Sequence, residues 1–160
     1  MVCDLQMLMV LPGRSFLPII NQENASGWDE VYQSHTFHEI TMYYPMRAVR
    51  TRQYKYIHNL FPELEYPFAT DLFICKTWQG ILDRQSEMMG SRKVSNYLNR
   101  PAEELYDIRK DPVESNNLAQ DPAYSEVLQE LRAKLKFMRV ATDDPWLIND
   151  NYLMNKSLFK

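Results

Sequence analysis

Across residues 31–44 β-branched and aromatic side chains accumulate, and alternate positions put His38, Ile40, Met42 and Tyr44 on one face and Glu39, Thr41 and Tyr43 on the other. A period of two is that of a strand, so the pattern predicts one here. Pro45 interrupts it, and residues 46–50 and 53–58 then make two short runs around Thr51-Arg52, a spacing that suits a hairpin. Ala48, Val49, Tyr54, Tyr56 and Ile57 supply its apolar surface, while Lys55 and several arginines keep the other side wet. Residues 60–70, with Pro62 and Pro67, predict irregular chain, and residues 77–84 predict a short helix from the spacing of Trp78, Ile81 and Leu82.

Further along, residues 87–101 contain Gly90 and many polar side chains and read as a loop with room for a brief helical turn. Residues 104–107 predict another strand. Asp111-Pro112-Val113-Glu114 is suited to start a helical turn: Asp caps, Pro fits the first position where no N–H is needed, and Glu reaches back to the cap. The device returns at Asp121-Pro122, followed by Val127, Leu128, Leu131, Leu135 and Met138 on one helical face, with Glu130 and Lys134 paired outside. Thr142-Asp143-Asp144-Pro145 stops that helix, and Trp146-Leu147-Ile148 is placed to fold back onto the domain. The fold class expected is α+β, a small antiparallel sheet with a C-terminal amphipathic helix. Residues 1–30, with the polar run from Asn21 to Gly27, read as a connector, 31–148 as the folded unit and 149–160 as a tail.

With 160 residues, 45% of them hydrophobic, the chain can bury one core. Its net charge of −3 carries no surplus that would draw it to nucleic acid or an anionic membrane. The two cysteines, Cys3 and Cys75, form no C-x-x-C pair, so neither a disulfide framework nor a structural metal site is implied. Asn24-Ala25-Ser26 and Asn155-Lys156-Ser157 fit the glycosylation acceptor pattern. The first ten residues are apolar but contain Asp4, lack a basic leader and fall short of the ~20 needed to span a bilayer. They predict neither a signal peptide nor a membrane span.

Imidazole and carboxylate come together at Ser34-His35-Thr36-Phe37-His38-Glu39. Such a group can bind an anionic or hydroxyl-rich ligand, Glu39 accepting from hydroxyls and a His donating to an oxyanion; its commoner role is to satisfy backbone at a strand start. Alternation sends His38 and Glu39 to opposite faces unless the strand is bulged or just beginning. The order His35-x-x-His38-Glu39 is not the H-E-x-x-H of zinc hydrolases, so metal binding is not expected. Arg47, Arg50, Arg52 and Lys55 make a basic hairpin suited to sulfate or carboxylate, Arg47 lying nearest the His/Glu segment. No G-x-S-x-G elbow occurs, and Cys75 reads as a buried inert thiol.

Three segments carry a family resemblance: Gly13-Arg14-Ser15-Phe16-Leu17-Pro18, the stretch from Ser34 to Arg50 containing His-Glu-Ile-Thr-Met and Tyr-Pro-Met-Arg, and Glu104-Leu105-Tyr106-Asp107 through Asp111-Pro112 to Ala119. Together they resemble the C-terminal region of the sulfatases, the last being shared widely and the second closest to the heparan N-sulfatase (sulfamidase) branch. The resemblance implies the C-terminal subdomain of an alkaline-phosphatase-like sulfatase, packed against a catalytic domain that lies upstream. It also implies a complete enzyme that hydrolyses sulfate from N-sulfoglucosamine in heparan sulfate, using Ca²⁺ and a formylglycine made from the Cys of C-x-P-S-R. That motif is absent here, since Asp-Leu-Gln follows Cys3 and Lys-Thr-Trp follows Cys75, so no catalytic residue and no metal ligand is assigned. Substrate-binding candidates are His35, His38, Glu39 and Arg47, at the rim of the pocket. The expected partners are the catalytic domain and a sulfated glycosaminoglycan, in a lysosomal, secreted or periplasmic setting, and the chain alone is expected to be inactive. The alternatives are a non-enzymatic module that binds sulfated glycans through the basic hairpin, and a truncated product without independent role.

Overall fold

The computed structural model describes residues 14–39 and 42–148. Four strands, β1 (Glu30–Phe37), β2 (Tyr43–Thr51), β3 (Tyr54–Asn59) and β6 (Glu103–Asp107), form an antiparallel sheet in the order β1-β2-β3-β6. Between β3 and β6 the chain leaves the sheet for the short helices α1 (Thr70–Ile74) and α2 (Lys76–Asp83), a small hairpin of β4 (Met88–Met89) and β5 (Arg92–Lys93), and α3 (Val94–Leu98). The long helix α4 (Ser125–Ala141) follows the sheet.

The hairpin of β2 and β3 is set by the two residues Arg52-Gln53, with Arg50 opposite Lys55. Strand alternation then sorts the core. Val49, Tyr56 and Leu105 face α4 and are closed by Leu128, Leu131 and Leu135, the apolar stripe of that helix. Ala48, Ile57 and Tyr106 point the other way and form a smaller cluster with Met46 and Ile108. Asp121 caps the entry to α4, its carboxylate accepting from Ala123 N–H at 2.9 Å, with Pro122 opening a 3₁₀ turn. The Glu130–Lys134 pair forms at 3.2 Å, and Lys134 also reaches Glu30 at 2.9 Å, tying the helix to β1.

Three local expectations are corrected. The single strand expected over 31–44 is two strands: β1 ends at Phe37, and β2 begins at Tyr43 and runs through Pro45. The β1–β2 register shifts between His35 and Phe37, and this irregularity lets a proline, which has no N–H for the ladder, sit fully buried inside a strand. Asp111-Pro112 starts only a turn. Asp111 does cap, accepting from Ser115 and Asn116 N–H at 2.7 and 2.8 Å, but Glu114 takes a left-handed φ of 54° and turns to Lys55 instead of back to the cap. Within 87–101, α3 is the brief helical turn expected, but the loop before it holds the β4–β5 hairpin, turned at Gly90 with φ 62°. The described part of the segment read as a connector, before β1, contains one 3₁₀ turn at Leu17–Ile19.

Candidate functional site

His38 and Glu39 sit in the turn where β1 has ended, not within a strand. His38 N–H donates to Met42 O at 3.3 Å and Met42 N–H to Glu39 O at 3.0 Å, closing the turn. The opposite-face rule of a strand therefore does not separate them. His38 is exposed and Glu39 half-buried. The Glu39 carboxylate crosses to the start of α1, where Oε2 accepts from the Thr70 N–H at 3.2 Å and the Thr70 hydroxyl at 3.0 Å. A carboxylate at helix-start N–H groups meets donors that the helix itself leaves unpaired. Thr70 carried no sequence signal, because its partner lies 31 residues away.

His35 lies inside β1 opposite Met46, its Nδ1 3.1 Å from Tyr44 O. Arg47 is on the other face of the sheet. Its guanidinium gives Nε and Nη2 to the two oxygens of Asp144 at 2.9 and 2.8 Å, and Nη1 to the carbonyls of His35 and Met46 at 2.9 and 3.0 Å. Arg139 adds a second guanidinium to Asp144 at 2.8 Å. Burial disfavours a charged Asp144, but the two arginines and the Trp146 N–H outweigh it and hold its carboxyl at about 2. The expected four-residue cluster is thus brought together only in part: His38 and Glu39 share the turn, His35 is in the strand before it, and Arg47 is 7% exposed and engaged inward. A ligand at the turn does not meet that guanidinium. Asp144, which the sequence presents only as a helix stop, is the partner that takes Arg47 away.

Two more cations of the basic hairpin are paired, Arg52 with Asp29 at 2.6 Å and Lys55 with Glu114 at 2.8 Å, while Arg50 is exposed. Beside the sheet, Glu104 collects Asn59 Nδ2 at 2.7 Å, Arg100 Nε at 2.8 Å and the Tyr106 hydroxyl at 2.5 Å. Burial again opposes the charge, and these donors overcome it, so the carboxyl titrates below its usual value. Cys75 is half-buried, and its Sγ accepts from Trp78 N–H at 3.4 Å at the start of α2, a capping role in place of the buried thiol expected. Among the described residues no group of three or more His, Cys, Asp or Glu could hold a metal ion. No helix among them is long and apolar enough to cross a membrane. Asn24 is exposed, with its Oδ1 accepting from Arg52 at 2.8 Å; Cys3 and Asn155 lie outside the described residues.

No protein-family model matches the chain. Among curated proteins it is 34% identical over 151 residues to N-sulphoglucosamine sulphohydrolase of Homo sapiens, covering 92% of this chain and 30% of that protein. It is 34% identical over 114 residues to an ulvan-active sulfatase of Formosa agariphila, covering 69% of this chain and 19% of that one. Among solved structures it superposes on a 2-O GAG sulfatase with a TM-score of 0.52 and 26% identity, over 84% of this chain and 21% of the other. The chain thus spans less than a third of the relatives it matches. It is a sulfatase homologue, and its sheet-and-helix architecture and short coverage are consistent with the C-terminal subdomain of that family.

Proposed function

We propose that the chain is the C-terminal part of a sulfatase that removes N-linked sulfate from glucosamine in heparan sulfate, and that it supplies a rim of the substrate pocket. The observation that carries this reading is the 34% identity over nearly the whole chain to N-sulphoglucosamine sulphohydrolase. The turn at His38 and Glu39 supplies chemistry that suits it. Both bonds from Thr70 fall on Glu39 Oε2, which leaves Oε1 to accept from a sugar hydroxyl, and the exposed His38 imidazole can donate to a sulfate oxygen. His35 positions this turn through its bond to the Tyr44 carbonyl. The partner is a catalytic domain, which would bring the formylglycine nucleophile and the calcium ion. The setting is lysosomal, secreted or periplasmic, with Asn24 and Asn155 as glycosylation acceptors.

The test is sulfate release from N-sulfoglucosamine by a protein in which this chain follows a sulfatase catalytic domain carrying C-x-P-S-R. Glu39→Gln and His38→Ala are each expected to lower kcat/KM at least tenfold, and the 160-residue chain alone to show no turnover. Turnover by the chain alone, or full activity in both variants, overturns the reading.

A further inference from the structure

A cleft of about 370 Å³ opens on the side of the sheet away from α4, between Tyr66, α3 and the turn after β6. That is the size of a small-molecule pocket. One wall is a run of packed rings. Tyr44 meets Tyr66 at 5.0 Å, Tyr66 meets Tyr97 at 5.5 Å and Tyr97 meets Phe68 at 5.3 Å, so Tyr66 and Tyr97 are held half-buried along the cleft, with the Arg100 guanidinium 5.1 Å from the Tyr66 ring. Asn96 and Asn99 place amides at its exposed edge.

The charges of the cleft nearly cancel. Arg100 is closed by both oxygens of Glu104 at 2.8 and 3.0 Å, and Glu114 is held by Lys55 at 3.1 and 2.8 Å. Arg92 is different. Its Nη2 donates to Val113 O at 2.8 Å, and the nearest carboxylate, 3.9 Å away, is the one Lys55 already holds. The cleft therefore presents aromatic rings, amides and a single under-neutralised guanidinium.

Those groups match an acidic pyranose: ring faces for its C–H surface, amides for its hydroxyls, and a guanidinium for one carboxylate or sulfate. We infer that the cleft binds one acidic sugar unit of a glycan, as a subsite separate from the His38–Glu39 turn. The choice of glycan rests on the sulfatase reading above, whereas the site rests on the cleft's own side chains.

The test is an amide NMR titration of the full chain with three probes: unsulfated heparosan tetrasaccharide, glucosamine N-sulfate, and neutral chitotetraose. The carboxylate of the first or the sulfate of the second is expected to bind at least tenfold tighter than the neutral probe, shifting Asn96 and Tyr97. Arg92→Gln is expected to remove that tenfold preference, and Tyr97→Ala to abolish binding. Should Tyr97→Ala fail to fold, the exposed Asn96→Ala is expected to weaken binding threefold or more. Absence of shifts at the cleft with all three probes, or unchanged affinity in both Arg92→Gln and Asn96→Ala, overturns the inference. A silent cleft in a protein that still releases sulfate refutes this subsite alone; cleft binding without sulfate release refutes the sulfatase reading alone.

Discussion

Arg47 and Asp144, 97 residues apart, meet through two parallel hydrogen bonds of 2.9 and 2.8 Å beneath the end of α4. The fork of a guanidinium matches the two oxygens of a carboxylate, so the pair fixes the angle at which the chain leaves α4 as well as holding it to β2. Removing Arg47 takes the two-bond partner from a buried carboxylate and leaves Arg139 as its counter-ion, so the cost lies at the lower end of what breaking a buried pair carries. Arg47→Met is therefore expected to lower stability by about 3 kcal/mol in urea unfolding. Arg47→Lys, which keeps the charge but not the fork, is expected to fall between.

The same carboxylate sets an acid limit. Asp144 titrates at about 2 in the folded chain against an ordinary 3.8, so its stabilisation is complete above the ordinary value and is lost as pH falls through the folded one. The shift corresponds to roughly 2 kcal/mol. Glu103 and Glu104 are lowered as well and add to the same trend, Glu103 chiefly through its bond from Arg132 against the opposing effect of burial. Urea midpoints measured from pH 6 down to pH 2 are expected to fall steeply, with a visibly shallower slope in Asp144→Asn.

Leu131 lies between Val49, Tyr56 and Leu105 on one side and its helix neighbours on the other, and is 3% exposed. Leu131→Ala removes buried apolar surface and leaves a space that a sheet and helix cannot both close. A loss of about 3 kcal/mol is expected, read from the thermal or urea midpoint.

Glu39 is the contrasting case. Its bonds to Thr70 are on the surface, so Glu39→Gln is expected to change stability by no more than about 0.5 kcal/mol. Unfolding curves that coincide with the parent, together with a tenfold loss of sulfate release when the chain is joined to a sulfatase catalytic domain, would separate a ligand-binding role from a structural one.

Much of the fold is legible along the chain because its signals are local. The stripe of Leu128, Leu131 and Leu135, the Asp121-Pro122 cap and the hairpin link, expected at Thr51-Arg52 and found one residue later at Arg52-Gln53, each lie within a few residues of what they determine. Where the sequence misleads, a non-local partner has intervened: Lys55 draws Glu114 out of a helical turn, and the register shift against β1 accepts Pro45 inside β2. The candidate site follows the same division. The nearness of His38 to Glu39 is written in adjacent positions, whereas the capture of Arg47 by Asp144 and the cleft walled by Tyr66 and Tyr97 join segments that no period relates. The sequence by itself determined the long helix, the hairpin, the last strand, the resemblance to the sulfatases and the pair at the turn, since periodicity, capping and motif are properties of neighbouring residues. Tertiary structure decided which face of the sheet each side chain takes and which charge meets which, because burial and ion pairing depend on distance in space and not along the chain.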